Sequence, residues 1–525
     1  MFLKLLLFSI LSYLGYHYCS TIFENTRFFS HLSTLEREMA FRTEAGFYYM
    51  FFKTIVEAPT FLEGWSLLVN DSGTEYPSHI NTLQRFNVYP EVLLGGAFRV
   101  FRSVVTDLDM MSYFKQCYWI DRAEGMSKVE SCVGAGDLTM FYINCIFTLS
   151  GLEIGVLFLI GCQMSENILG GILTASAAFF NFAQCSRVYR IPPLRENYSC
   201  PFLLLQVLLV SRMLKSGHSR GLQVSLVLAT ACCALPWQFS QFVLFTQTLS
   251  LFGSYSLSFL NKNQLSPILD CIFIGYSIAT VFQFLNTMLI SSLYVSSYLA
   301  FKMVIFLNRS GKMPNRILQF FKDVVLFLLV AGVYKTGSAW LLQHTDDAHI
   351  FNILRSKITD YRDFDTLLYT CAKDFDFIEL EVLFKLVPTL LLPTTAVILL
   401  RLVYIFGRAL FNKSEQVTSS VDEHPQENTK ESGDKIAEKR KKRRLPKNLT
   451  ISSTVTKPEV SVISTHGYLT YHMFQFGCYL GMALILARLK LLMTTQMCIL
   501  FSLVASSFVL PLTQRNRWVY FYPFA

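Results

Sequence analysis

LSTLEREMAFRTEAGFYYMFFKTIVEAP, Leu32–Pro59, sets Glu36, Arg37, Glu38, Arg42, Glu44 and Lys53 among Phe41, Phe47, Tyr48, Tyr49, Phe51 and Phe52. Read as one helix, the stretch places Glu38 and Arg42 four residues apart, where they can pair. Arg37, Glu44 and Tyr48 then fall on one side, at spacings of seven and four. That face offers a carboxylate beside an aromatic hydroxyl and near a guanidinium. The same charges also suit the solvated face of an amphipathic helix lying on a membrane. The surrounding chain has to decide between the two.

That chain is built for a bilayer. Of its 525 residues 52% are hydrophobic and only 16% charged, with 47 Phe and 25 Tyr. Mean hydropathy is +0.39. A soluble chain carries about 25% charged residues, so the expected class is an all-α polytopic membrane protein. The net charge of +9 does not point to nucleic acid. Much of it sits in KIAEKRKKRRLPK, Lys435–Lys447, and in loop clusters of the positive-inside kind. The 13 cysteines lie mostly in apolar segments, as small hydrophobes. Cys117 and Cys132 instead flank a polar loop; they form a disulfide if that loop is luminal, or stay free.

Taken in order, residues 1–19 form a first anchor, Phe2–Tyr18, and Lys4 puts the N-terminus in the cytosol. Residues 20–139 form one large luminal loop holding the opening stretch. Within it Val88–Val105 is nearest to a span, but Pro90, Glu91, Arg99 and Arg102 make it an interfacial helix. Asn70-Asp71-Ser72 is a glycosylation acceptor in that loop. Residues 140–342 read as a transmembrane bundle, 343–381 as a luminal loop and 382–406 as a span. Residues 407–464 read as a basic cytosolic linker, expected to be disordered. Residues 465–512 supply two last spans and 513–525 a short tail. The total is about twelve crossings, at roughly 20 apolar residues each. The basic loops Arg212–Arg220, Asn308–Arg316 and Lys435–Lys447 then all fall in the cytosol. The absence of an obvious internal repeat counts against a transporter of inverted halves.

Three polar clusters share the luminal side: Glu36–Glu44; Arg187, Arg190, Arg195, Glu196 and Asn197; and His344–Asp365 with Asp346, Asp347 and His349. Charges at membrane depth usually face a polar cavity. A cavity with both signs suits a lipid-borne phosphate carrying a polar group, since arginine forks onto phosphate and carboxylates serve as bases. Each cluster also has a plainer reading. Arg190 and Arg195 can snorkel. Asp346, Asp347 and His349 can be a solvated loop, and without a third spaced ligand no metal is assigned. Trp237 and Gln238, after Pro236, can anchor the interface.

Five stretches carry a family resemblance. LEREMAFRTEAGFYYMFFKTIVEAPTF (Leu35–Phe61), INTLQRFNVYPEV (Ile80–Val92), PPLRENYSCPF (Pro192–Phe202), LPWQFSQF (Leu235–Phe242) and RDFDTLLYTC (Arg362–Cys371) resemble, in order, the tryptophan C-mannosyltransferases of the dumpy-nineteen-like family. The resemblance implies a GT-C glycosyltransferase in the endoplasmic reticulum membrane. Such enzymes transfer mannose from dolichyl phosphate mannose to indole C2 of Trp in Trp-x-x-Trp motifs, as in thrombospondin-type repeats and cytokine receptors. It implies no cofactor beyond that lipid-linked donor. It makes Glu44 the base, and Arg195 then Arg190 the phosphate ligands. Arg37, Tyr48, Glu196, Asn197, Trp237, Gln238, Asp346, Asp347 and His349 complete the expected substrate-binding set. Family members continue past the point matching Leu512 into another span and a luminal domain, whereas this sequence ends at Ala525. A non-catalytic membrane scaffold is therefore the second reading.

Overall fold

The computed structural model describes residues 2–122, 124–308, 316–342, 352, 355–361, 363–364, 366–367, 373–418 and 466–509. Asp346, Asp347, His349 and the Lys435–Lys447 run lie outside them, as does most of the Asn308–Arg316 loop.

The chain opens with α1 (Phe2–Arg27). Short helices follow: α2 (Thr34–Ala40), α3 (Glu44–Glu57), α4 (Phe61–Val69), α5 (Thr82–Phe86), α6 (Tyr89–Asp107) and α7 (Met111–Phe114). Strands β1 (Gln116–Ile120) and β2 (Val129–Val133) pair antiparallel, with Cys117 opposite Cys132 and bridged to it. Then come α8 (Leu138–Ser165), α9 (Ile168–Phe180), α10 (Phe182–Cys185), α11 (Arg195–Ser216), α12 (Arg220–Ala234), α13 (Ser240–Ser256) and α14 (Lys262–Phe282). The remainder is α15 (Thr287–Ile290), α16 (Leu293–Leu307), α17 (Arg316–Leu342), α18 (Leu380–Lys385), α19 (Leu391–Thr418), α20 (Tyr468–Ile485) and α21 (Lys490–Phe501).

Among the described residues, eight helical segments are long and apolar enough to cross a membrane. They are α1, α8, α11, α14, the α15–α16 pair, α17, the apolar part of α19, and Ala487–Ala505 around α21. Helices α9 and α12 are apolar but shorter. The protein is thus a helical, multi-pass membrane protein, as backbone satisfaction in lipid requires. The described part of the 140–342 region is mostly helical, with interruptions. Within it, the chain breaks at Asn181 between α9 and α10 and at Ser291–Ser292 between α15 and α16, and the expected 382–406 span begins as α18 before a turn leads into α19. Glycine allows the closest packing: a Cβ on Gly151 of α8 would collide with the carbonyl of Ser12 in α1.

The opening stretch is not one helix. Ser33 caps α2 through a capping box with Glu36, and the chain turns at Phe41–Thr43, where Thr43 takes φ 50°. Helix α3 then restarts at Glu44. The expected pairing of Glu38 with Arg42 is replaced: Glu38 takes Lys53 at 2.9 Å and the Tyr49 hydroxyl at 3.2 Å. Arg37 and Glu44 therefore do not share a face. The Arg37 side chain is wholly buried, pairs with Asp137 at 3.3 Å and donates to the carbonyls of Phe29 (2.9 Å) and Cys132 and to Ser131 Oγ. It clamps the disulfide hairpin onto the start of the loop, a structural position and not a ligand-facing one.

α6 is the expected Val88–Val105 helix, but Glu91 in its first turn is buried and paired. The charges that disqualify this stretch as a span are partly internal contacts. Arg99, likewise, donates to the Ala58 carbonyl at 2.6 Å and closes the end of α3.

Candidate active site

Helix α11 starts at Arg195, after a turn at Pro192–Pro193 and an extended Leu194. Asn197 Nδ2 donates to the carbonyls of Ile191 (3.0 Å) and Pro192 (2.8 Å), folding this segment over the first turn of α11. Neighbouring Arg195 and Glu196 then point to different sides of that turn. On α3, Glu44 and Tyr48 are one turn apart and face the same way.

These side chains line one cavity of about 300 Å³. Glu44, Tyr48, Arg195, Glu196, Trp237 and Gln238, all expected from the sequence, are in its wall. Arg85, Phe86 and Asn87 at the end of α5, Phe375, and Arg488 just before α21 complete the polar and aromatic part. Arg37, Arg190 and Asn197 are not in that wall. Arg37 and Asn197 serve the fold, and Arg190 faces a different, smaller cavity.

Arg195 does not sit in the cavity as a free cation. It grips Glu91 with two nitrogens, one of them at 2.8 Å, and donates to the Asn87 carbonyl at 3.0 Å. Glu91 also accepts from the Tyr142 hydroxyl at 3.0 Å. The guanidinium lies 3.6 Å over the Tyr48 ring. Burial pushes the Tyr48 hydroxyl up to about 12, so at neutral pH it stays protonated and is no base. Glu196 is equally committed: it takes Arg187 at 3.1 Å and Arg488 at 3.1 Å, and Arg187 also holds Asp374 at 2.6 Å.

Glu44 differs. Its side chain is 49% exposed, and its ion-pair contact is Arg488 at a loose 3.7 Å. Arg488 Nη2 is thus shared between a tightly held carboxylate and a loosely held one. Among the described residues, the cavity holds one carboxylate open to a ligand and one guanidinium that reaches it. Trp237 is almost fully buried against Phe239, and Gln238 Nε2 contacts the Met288 sulfur at 3.2 Å. Trp237, Phe239, Phe86 and Phe375 give the cavity wall its aromatic residues.

Sequence reading misses Glu91 and Arg488. Glu91 stands within INTLQRFNVYPEV, a stretch that carries the resemblance, but along the chain it reads only as an obstacle to a span. Arg488 is a lone charge between two apolar runs, and such a charge is a site signal in itself.

A family model, Dpy19, Q-cell neuroblast polarisation, matches residues 9–524. The chain belongs to the Dpy19 family. It is 39% identical over 510 residues to the Protein C-mannosyl-transferase DPY19L1 of Rattus norvegicus, covering 96% of this chain and 62% of that protein. To the Homo sapiens Protein C-mannosyl-transferase DPY19L1 it is 38% identical over 501 residues, covering 94% of this chain and 68% of the relative. The C-mannosyltransferase dpy-19 of Caenorhabditis elegans is 35% identical over 509 residues, 95% of this chain and 66% of that one. The chain thus spans about three fifths of the rat relative's length. The cavity bounded by α3, α11 and Arg488 is the candidate functional site of this chain.

Proposed function

We propose that this chain carries the catalytic core of a protein C-mannosyltransferase, with Glu44 as its base. The observation that carries this reading is the open carboxylate of Glu44 on a cavity whose other lining carboxylate, Glu196, is locked between Arg187 and Arg488. The relatives' names supply the reaction class. On this reading the donor is dolichyl phosphate mannose and the acceptor a Trp in a Trp-x-x-Trp motif of a secretory protein. Thrombospondin-type repeats and cytokine receptors are the expected acceptor classes. The protein is taken as a GT-C enzyme of the endoplasmic reticulum membrane, with about twelve crossings and a cytosolic N-terminus. The cavity then opens to the lumen, because Glu44, Arg195, Trp237 and Arg488 all stand at span ends assigned to that side by the charge pattern.

The chemistry uses the groups present. Indole C2 attacks the anomeric carbon of mannose, forming a carbon–carbon bond. The anomeric C–O bond breaks, and its electron pair leaves with dolichyl phosphate. The indole is then cationic, and Glu44 removes the C2 proton to restore its aromaticity. The leaving phosphate needs positive charge. Arg195 is neutralised by Glu91, so its role here is to hold the wall and orient Tyr48. Arg488 takes the phosphate. A phosphate drawn to Arg488 competes with Glu44 for it, which frees the base as the donor arrives.

The test is Glu44→Gln in the full chain, supplied with lipid-linked mannose and a Trp-x-x-Trp peptide. Turnover should fall about 10²–10⁴-fold, the usual worth of a general base. Donor binding should be unchanged. Equal turnover with Gln at 44 would remove Glu44 from the role.

A further inference from the structure

A second cavity, of about 30 Å³, lies on the other side of the α3 start and of the Arg190–Pro192 segment. Three arginines from three separate stretches meet at it: Arg27, the last residue of α1; Arg42, in the α2–α3 link; and Arg190, in the loop before α11. Arg27 Nη2 donates to the Arg190 carbonyl at 3.3 Å, tying α1 to that loop. The floor is apolar, with Phe23, Phe41 and Ile191 among its residues.

What sets this cluster apart is that, among the described residues, three arginines without a carboxylate partner converge on one cavity. Arg99 also pairs with no described carboxylate, but it spends its guanidinium on backbone carbonyls. Among the described residues Arg37, Arg85, Arg122, Arg187, Arg195 and Arg488 each hold a carboxylate. Arg27, Arg42 and Arg190 hold none among the described residues, and no carboxylate lines their cavity. Glu24, one turn from Arg27, is taken by the Ser30 amide at 3.0 Å. Bringing three guanidiniums together without counter-charge is unfavourable unless an anion completes them. The membrane-spanning helix ends at Arg27, so the cluster stands at headgroup depth, where the available anion is a lipid phosphate.

We propose that Arg27, Arg42 and Arg190 form a second phosphate site, distinct from the transferase cavity, that binds the phosphate of a membrane lipid. The 30 Å³ space takes only a water-sized group, so the phosphate sits at its mouth between the three forks. The lipid's chains run along the adjoining apolar surface of α1. Two lipids present this chemistry: a polyprenyl monophosphate, and an acidic glycerophospholipid of the bilayer.

The experiment uses the full chain in nanodiscs of phosphatidylcholine. Binding of farnesyl phosphate, of phosphatidic acid and of uncharged farnesol is read by native mass spectrometry. Wild type should bind at least one of the two phosphate lipids and should not retain farnesol. Arg27→Gln, Arg42→Gln and Arg190→Gln together should weaken that binding about a hundredfold, at about fivefold per arginine. Farnesyl phosphate also has a ligand in the transferase cavity at Arg488, so every variant is compared on an Arg488→Ala background, where the remaining phosphate-lipid binding reports the second site. Loss of farnesyl phosphate alone assigns the site to polyprenyl phosphate, and loss of phosphatidic acid alone assigns it to bilayer lipid. Arg42 is exposed and makes no ion pair among the described residues, so Arg42→Glu alone keeps the fold and should still cost more than tenfold if the triple variant does not assemble. Unchanged phosphate-lipid binding in Arg42→Glu, or equal retention of farnesol, overturns the proposal. Because the readout is binding, it stands or falls apart from mannosyl transfer.

Discussion

Arg37 and Arg488 both meet carboxylates near the ends of membrane-spanning helices, and they do opposite things. Arg37 is saturated: Asp137, three backbone carbonyls and a serine hydroxyl enclose a guanidinium with no exposure. It has nothing left to offer a ligand. Arg488 is 23% exposed, firmly bound to Glu196 and only loosely to Glu44. A saturated charge makes structure; an incompletely saturated one on a cavity leaves room for a ligand. Seven residues separate Arg37 from Glu44, yet the turn at Thr43 sends one to the fold and the other to the cavity.

The contrast breaks most sharply with Glu44→Gln, whose expected loss of 10²–10⁴-fold in turnover should come without a change in thermal unfolding. A matching loss of stability would mean that Glu44 is structural too. Next in size is Arg37→Ala. It leaves Asp137 buried and unpaired, and should cost about 3–5 kcal/mol. Proteolysis of the hairpin around the Cys117–Cys132 bridge, followed by mass spectrometry, should find it cut readily; a resistant hairpin would deny the clamp. Arg195→Ala should behave like Arg37→Ala, because it strands Glu91: the luminal loop loosens, and Arg195→Met loses no more. Preserved stability together with a raised donor KM would return Arg195 to phosphate binding. Arg488→Lys should raise donor KM with little change in stability, since the charge stays while the fork is lost.

The smallest effect is pH-dependent. Hydrogen bonds from Arg122 and Ser33 hold the Glu36 carboxyl down at about 2 against an ordinary 4.5. A depressed carboxyl contributes stability above its unfolded value and loses it as pH falls through the folded one. The stability gap between wild type and Glu36→Gln should therefore be constant from neutral pH to about 5. It should narrow between about 4.5 and 2, as measured by thermal unfolding at each pH. A gap that widens on acidification would contradict the Arg122 contact.

Much of the cavity is legible in the sequence, since six expected residues line it: Glu44, Tyr48, Arg195, Glu196, Trp237 and Gln238. They stand in stretches where charge and aromatic residues interrupt apolar sequence, a costly pattern that marks internal use. Partnership is the part that escapes. Periodicity places Glu38 four residues from Arg42, but Lys53, fifteen residues on from Glu38, takes the carboxylate. Nothing local tells that Arg195 spends its charge on Glu91, 104 positions earlier.

The sequence alone therefore determined the features that composition and local pattern dictate. The apolar runs had to become helices because lipid offers the backbone no hydrogen bonds, and the luminal stretch had to hold the scarce charges. The tertiary structure alone decided which of those charges are cancelled. Pairing in a low-dielectric interior depends on approach to within about 4 Å across distant segments, and a one-dimensional chain does not carry that distance. Only the packing of α3, α6 and α11 with the Arg488 segment leaves Glu44 open while closing Glu91 and Glu196.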